Sequence, residues 1–297
     1  MNIANLYSYS LPTSIRALPI RSGLLLEWNG GWGEIAPLPG FSSETLEEAK
    51  EEISTLLPHL ATRPAKLPSV RFAIDCAKLP FPPKPFRIPL AAFQTPRPNF
   101  PILKLKLGHL TVEEAVTFIK KMEKTHRLRL DFNQKWDLHQ ALELANHFPT
   151  HNFDYLEEPV SSLEDLITFS KLTKLPIAID ESFRTNPEKA LQVLSLQAVV
   201  VKPTITGFIP QVPPHVTLVL SSSYETSLGL LQIARMGASL GNPRTAHGLD
   251  TYSFFHEDLL SHSLEAKKGY LLWKGGNVNK SKLCWIATHS SPSKGSY

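Results

Sequence analysis

The chain has 297 residues, 42% of them hydrophobic and 20% charged, which excludes intrinsic disorder. With 31 Lys+Arg against 27 Asp+Glu in mixed order, the formal charge of +4 excludes a nucleic-acid arm and an acidic tail. The two cysteines, Cys76 and Cys284, are distant and form no C-x-x-C, which excludes a disulfide framework or a cysteine zinc site and suits a reducing cytoplasm.

At roughly 150 residues per domain, this length allows about two domains, or one barrel with a smaller piece. Residues 1–87 read as a small α+β module. Leu24, Leu25 and Leu26 precede a glycine-rich turn at Gly30, Gly31 and Gly33. Ser43 is the expected N-cap of a helix in which Leu46, Ala49, Ile53 and Leu56 recur at helical spacing. Glu44, Glu47 and Glu48 lie where the helix dipole favours acids. A proline-dense stretch runs from Pro80 to Pro101 and includes Pro82, Pro83, Pro85, Pro89, Pro96 and Pro98. Pro80–Pro85 reads as a linker, and Ile88–Phe93 as a short strand.

Strand and helix then alternate. Strands are expected at Ile102–Leu107, Leu128–Leu130, Phe153–Leu156, Ile177–Ile179, Ala198–Val201 and Val216–Leu220. Helix starts are marked by Thr111 with Glu114, Asp137 with Gln140, Ser161 with Glu164, and Asn186-Pro187. A last helix is expected from Ser227 to Ser239. Seven or eight such units fit between residues 88 and 250, as an open doubly wound sheet or a closed barrel. No membrane span is expected, because the longest uncharged stretch, Pro203–Tyr224, holds Pro203, Pro210, Pro213 and Pro214. No basic, then apolar, leader opens the chain, so a cytoplasmic protein is expected.

The chemistry lies at the strand ends. Lys104 and Lys106 point to one side of their strand. Asp131, Glu157, Asp180 and Lys202 each follow an apolar strand, at separations of 25, 26, 23 and 22 residues from Lys106 onward. Any one of these alone reads as a loop charge or a cap. In an open sheet the series would spread over about 20 Å, whereas a closed barrel gathers such ends at one catalytic mouth. Three carboxylates at one mouth need a cation, and oxygen donors alone suit a hard ion such as Mg2+. Lysines flanking the acids suit removal of a proton α to a substrate carboxylate, with the ene-diolate stabilised by metal and ammonium. A basic lysine must be neutral, so the pKa values of Lys104 and Lys106 are expected to fall. Glu157 is preferred over Glu158 as a ligand on strand parity. Arg129 and Asn133 share the side of Asp131. The hydroxyls and backbone N–H groups of Ser221, Ser222 and Ser223 can hold a second anion or simply cap a helix. The eleven histidines show no metal-ligand spacing, His247 reads as a loop residue, and the basic run Lys120–Arg129 as a solvated face.

These motifs carry a family resemblance. Leu103-Lys104-Leu105-Lys106, Asp131-Phe132-Asn133, Glu157-Glu158-Pro159, Asp180-Glu181-Ser182 and Val201-Lys202-Pro203-Thr204 resemble the muconate-lactonising branch of the enolase superfamily. Three segments are more narrowly similar to its o-succinylbenzoate synthase family: Gly33–Ser42, Ser221–Leu230 and His247–Thr251. The resemblance implies an α/β fold, a (β/α)7β TIM-like barrel over 88–250 with an α+β capping domain at 1–87. Residues 251–297 would return to the cap, with a loose tail from His289. It implies Mg2+, with Mn2+ as a substitute, on Asp131, Glu157 and Asp180. Lys106 would be the base and Lys202 the opposed cation. Lys104, Asn133, Ser222 and Ser223 would bind substrate, the two serines facing its succinyl carboxylate. Loops near Gly33–Ser42 would close over it. The substrate would be a small-molecule carboxylate that loses water in menaquinone or phylloquinone synthesis. Neither nucleic acid nor membrane is an expected partner, and the chain would be a monomer or homo-oligomer. N-acylamino acid racemisation or dipeptide epimerisation is the alternative within the superfamily, and a non-catalytic barrel the alternative outside it. The 18 residues between Lys202 and Ser221, with Pro210, Pro213 and Pro214 among them, leave room only for a loop or single turn.

Overall fold

The computed structural model describes all residues except 1, 83, 149–152, 241, 243 and 292–297. Pro83 of the proline-dense stretch therefore lies outside the described residues.

β1 (Asn2–Pro12), β2 (Ile20–Trp28) and β3 (Gly31–Ile35) pair antiparallel in that order. Asn29 and Gly30, at φ +50° and +83°, make the two-residue hairpin turn, which needs left-handed backbone. Gly33 serves close packing instead: a Cβ there would lie 1.9 Å from the Ala73 carbonyl oxygen of a helix across the strand. α1 (Leu46–Leu56) is capped by Thr45, not Ser43. A capping box needs an acid or amide three residues on; Thr45 has Glu48, whereas Ser43 has Leu46. Glu44 is displaced with it, and accepts the Ser69 N–H at 2.9 Å in the first turn of α2 (Pro68–Ala77). Ala49 and Ile53 of α1 and Val70, Ala73 and Ile74 of α2 bury against Leu24, Leu26 and Ile35 of the sheet.

The expected Ile88–Phe93 strand divides at Leu90. β4 (Phe86–Pro89) leaves to pair with a late hairpin, and β5 (Ala92–Phe93) starts the parallel sheet. Then follow β6 (Ile102–Lys106), α3 (Val112–Met122), β7 (Arg127–Asp131), α4 (Leu138–His147), β8 (Phe153–Glu157) and α5 (Leu163–Leu172). Next come β9 (Ile177–Ile179), α6 (Glu181–Thr185), α7 (Pro187–Ala190), β10 (Leu196–Val201), α8 (Pro203–Thr206), β11 (Thr217–Leu220) and α9 (Ser227–Ser239). β5 to β11 pair parallel in chain order. His247 bridges Leu90 and Gly248 bridges Ser221, both parallel, so this last segment joins the two sheet edges as an eighth stave. The fold is thus a TIM-like (β/α)7β barrel with an antiparallel capping unit. Among the described residues, six of the seven parallel strands are followed by a helix, and the first, β5, is not. Between β5 and β6 the chain passes Pro96, Pro98 and Pro101, which deny a helix. α8 is a single turn, ended by Gly207 at φ +75°. α5 is capped by Ser162 rather than Ser161, whose N–H is held by the Trp136 carbonyl.

Side-chain alternation then builds the site. Tyr155, Ala178, Ala198, Val200 and Val219 fill the barrel interior. One step of two beyond Tyr155, Ala178 and Val200 stand Glu157, Asp180 and Lys202. Leucines and valines of opposite parity, such as Leu103, Leu105, Leu130 and Val199, pack outward against the helices. β12 (Glu265–Lys267) and β13 (Tyr270–Trp273) form the hairpin that takes up β4. β14 (Cys284–Ser291) returns to pair with β1. His289–Ser291, expected in a loose tail, belong to this strand; 292–297 lie outside the described residues.

Candidate active site

Parallel register sets the row of charges. Lys106 is paired with Asp131, and Asp131 with Glu157. Glu157 is level with Ala178, so Asp180 stands two residues further on, just past the end of β9. β6 and β10 are separated by three staves either way round the ring, so Lys106 and Lys202 face each other across it.

Lys104 is buried between two acids. Its Nζ lies 2.8 and 2.7 Å from the two Glu157 oxygens and 3.0 Å from Asp131 Oδ2. Burial disfavours the ammonium, but the charges of Asp131 and Glu157 outweigh burial and hold its pKa well above the ordinary lysine value. The expected fall does not occur there, because two carboxylates lie within 3.0 Å of the Lys104 ammonium. Lys202 pairs with Asp180. Its pKa is also raised, with burial opposed by Asp180 and then Glu181. Lys106 is half-buried; its Nζ donates to Asn133 Oδ1 at 2.7 Å and lies 3.7 Å from Asp131 Oδ2. Asn133, at φ +47°, also donates its N–H to Asp131 Oδ1 at 3.0 Å.

Glu157 is pushed up to about 7, by burial first and by the charges of Asp131 and Asp180, against the pull of Lys104. Burial would raise Asp131 as well, but Lys104, Lys106 and Lys202 together hold it below the usual range. Among the described residues, no three acid, His or Cys side chains stand as placed to hold one ion jointly. The donor chemistry nevertheless fits a hard divalent cation. The acids offer only oxygen, they repel one another, and the Lys104 ammonium between Asp131 and Glu157 stands in for a positive ion.

Above this floor is a cavity of 270 Å³, lined by Lys104, Lys106, Asp131, Asn133 and Lys202 below and Ser221–Tyr224 and Thr251 at the side. Ile15, Leu18, Leu38, Pro39 and Phe41 of the cap cover it with apolar surface. All three serines line the cavity, but their backbone N–H groups are already bonded, to Val201 O, Gly248 O and Glu225 Oε2. Only hydroxyls remain for an anion. Ser222 Oγ lies 2.6 Å from Thr251 Oγ1, and Ser223 Oγ donates to Glu225. Arg129 does not reach the cavity; it bonds Asp154 at 2.7 Å and the Ala246 carbonyl, at the other end of its strand. His247 is not in a loop. It is buried in the closing stave, and its Nδ1 accepts the Leu220 N–H at 3.0 Å.

Several supporting residues carried no signal that sequence reasoning used. Glu34, buried on β3, accepts from Tyr9 Oη, from Thr226 N (3.0 Å) and Oγ1 (2.7 Å), and from Gly229 N (2.8 Å). It thereby caps α9 from the capping sheet. Arg21 is buried with four bonds to backbone carbonyls: Ala36 and Pro37 of the covering loop, Ser223 and Tyr224 of the barrel. Both residues have partners distant in sequence, so spacing could not reveal them. Glu34 does sit in the quoted Gly33–Ser42 motif.

Comparison with known proteins is consistent with this geometry. Residues 1–81 match the family model described as MenC, N-terminal domain, and 91–207 that described as enolase C-terminal domain-like. The o-succinylbenzoate synthase of Klebsiella pneumoniae (strain 342) is 33% identical over 306 residues, covering 88% of this chain and 94% of its own. That of Citrobacter koseri is 34% identical, with 85% and 92% covered. Among solved structures, an o-succinylbenzoate synthase from Thermosynechococcus elongatus BP-1, complexed with Mg in its active site, has a TM-score of 0.64 at 22% identity, covering 87% of this chain and 95% of its own. A dipeptide epimerase from Enterococcus faecalis V583 has a TM-score of 0.72 at 18% identity, covering 96% and 100%.

Proposed function

Because the chain belongs to the o-succinylbenzoate synthase family of the enolase superfamily, we propose that its barrel mouth dehydrates 2-succinyl-6-hydroxy-2,4-cyclohexadiene-1-carboxylate to o-succinylbenzoate, a step of menaquinone or phylloquinone synthesis. The observation that carries this reading is the register-locked row Lys106, Asp131 and Glu157, with Lys106, Asp131 and Lys202 lining one cavity and Asp180 paired to Lys202.

Asp131, Glu157 and Asp180 would hold Mg2+, and Mn2+ by the same oxygen donors. The ion, when bound, supplies positive charge to the substrate carboxylate as negative charge develops beside it. Lys106 Nζ, in neutral form, takes the proton from the ring carbon α to that carboxylate. The carbon–oxygen bond on the adjacent ring carbon breaks, and the Lys106 ammonium returns the proton to the departing hydroxyl, which leaves as water. The ring becomes aromatic. Asn133 Oδ1 orients the Lys106 amine through its 2.7 Å bond. Lys202 and Lys104 contribute fixed positive charge around the carboxylate. Leu38, Pro39 and Phe41 exclude water from above.

The test is to add this substrate and magnesium to the purified protein and follow the loss of diene absorbance. Turnover supports the reading. No turnover, alongside rapid racemisation of N-succinylamino acids, overturns it. That second reading is favoured by one observation: Lys106 and Lys202 oppose each other across the ring, as delivery and removal of a proton on opposite faces requires.

A further inference from the structure

The backbone of Tyr224 is strained. Its φ is +61°, a left-handed conformation that bulky L residues seldom adopt. Two side chains hold it there. Ser222 Oγ accepts the Tyr224 N–H at 3.1 Å, and Arg21 Nε donates to the Tyr224 carbonyl at 2.9 Å. Both bonds engage the backbone, and among the described residues no bond claims the phenol. The ring packs edge-on against Phe254, 6.0 Å between centroids, and Phe254 in turn against Phe93 at 6.1 Å. This shelf brings Tyr224 to the cavity wall, beside the serines and within the field of Lys104, Lys202 and Asp131.

A merely structural tyrosine would pack without the strain, and its hydroxyl would find a partner inside the protein. Here the surroundings force an unfavourable backbone, and the result is a phenol free to donate at the cavity wall beside the serines. Most other polar groups there are engaged: Ser222 with Thr251, Ser223 with Glu225. We infer that Tyr224 is a specificity-determining residue, whose phenol donates a hydrogen bond to a carboxylate or carbonyl oxygen on the substrate's side arm, away from the carboxylate held over Asp131 and Glu157. The inference rests on the dehydration proposed above for the identity of that arm.

The experiment compares wild type with Tyr224→Phe, which keeps the ring and its contact with Phe254. Steady-state kinetics on the cyclohexadiene substrate are paired with calorimetric binding of o-succinylbenzoate in magnesium. The expected result is a KM and a product Kd each raised about tenfold, the range of one hydrogen bond to a charged group, with kcat and thermal midpoint unchanged. That pattern is uniform binding lost, which a packing role would not produce. Equal KM and Kd in the two proteins overturn the assignment of Tyr224 and leave the reaction standing. A wild type that binds the dicarboxylate through Tyr224 but turns nothing over overturns the reaction and leaves the residue assigned. Binding by neither protein overturns both.

Discussion

Glu158 holds Asp180 by its backbone: Glu158 Oε1 accepts the Asp180 N–H at 2.8 Å and the Ser182 N–H at 2.7 Å. Its Oε2 takes Ser182 Oγ at 2.7 Å and Gln134 Nε2 at 2.9 Å, so the buried carboxylate is fully engaged. Parity chose Glu157 for the mouth, and its neighbour fixes the turn that presents the third acid. Glu158→Gln replaces an acceptor with a donor facing N–H groups. Magnesium affinity should fall about 10- to 100-fold, the range for a group that orients a ligand. Calorimetric titration with magnesium reads this; unchanged affinity would show that Asp180 needs no such support.

Lys106→Ala should lower kcat by at least about a thousandfold, as expected when a base is removed. The circular dichroism spectrum should stay unchanged, because the side chain is half-buried and faces the cavity. Lys202→Ala should also lower kcat severely. If the second reading holds, Lys202→Ala should instead abolish reaction from one enantiomer's face only, which deuterium exchange in each enantiomer would reveal.

His247 makes stability depend on pH. Burial, and then the nearby Arg129 charge, hold its pKa down to about 4, against an ordinary value of 6.5. Between these values the unfolded chain binds more protons than the folded one, so stability is lost as pH falls from 6.5 to 4. The loss amounts to about 3 kcal/mol. Asp250, pushed up to about 6 by burial, acts in the opposite sense in part of that window. The contribution must therefore be isolated by difference. Urea unfolding of wild type and His247→Asn should converge or cross as pH is lowered across this range. Parallel profiles would show that the imidazole protonates freely in the fold.

Glu34 couples cap to barrel. Glu34→Ala leaves Thr226 N, Gly229 N and Tyr9 Oη without their acceptor, a loss of about 3 kcal/mol. Gly229→Ala should do similar damage from the other side, because its Cβ would lie 2.6 Å from Glu34 Oε2. Calorimetry should show a thermal midpoint lower by several degrees in each. The double variant should lose less than the two losses added, because both remove one interaction.

Much of the barrel was legible in the chain because parallel staves repeat. Apolar runs such as Val199–Val201, each ended by a charge, carry their period openly, and the helices after β6, β7, β8 and β11 are marked by their caps. Ser227–Ser239 was bounded correctly for the same local reason: Thr226 caps it and no proline interrupts it. The division of Ile88–Phe93 was not legible. Which half joins the barrel depends on β13, some 180 residues away, competing for Phe86–Pro89. The status of His247 was hidden likewise, since only ring closure buries it against Leu220.

The sequence by itself determined which residue types stand at the strand ends and, through alternation by two, that they share a side. That information is local, because side-chain direction along a strand follows from chain geometry alone. The tertiary structure decided their charge states and their supports. Lys104 is held positive because Asp131 and Glu157 enclose it, and the mouth is shaped by Arg21, Glu34 and Glu158 through bonds to backbone brought near only by folding. Electrostatic and hydrogen-bond energies depend on distance in space, and distance in space is what a linear chain does not record.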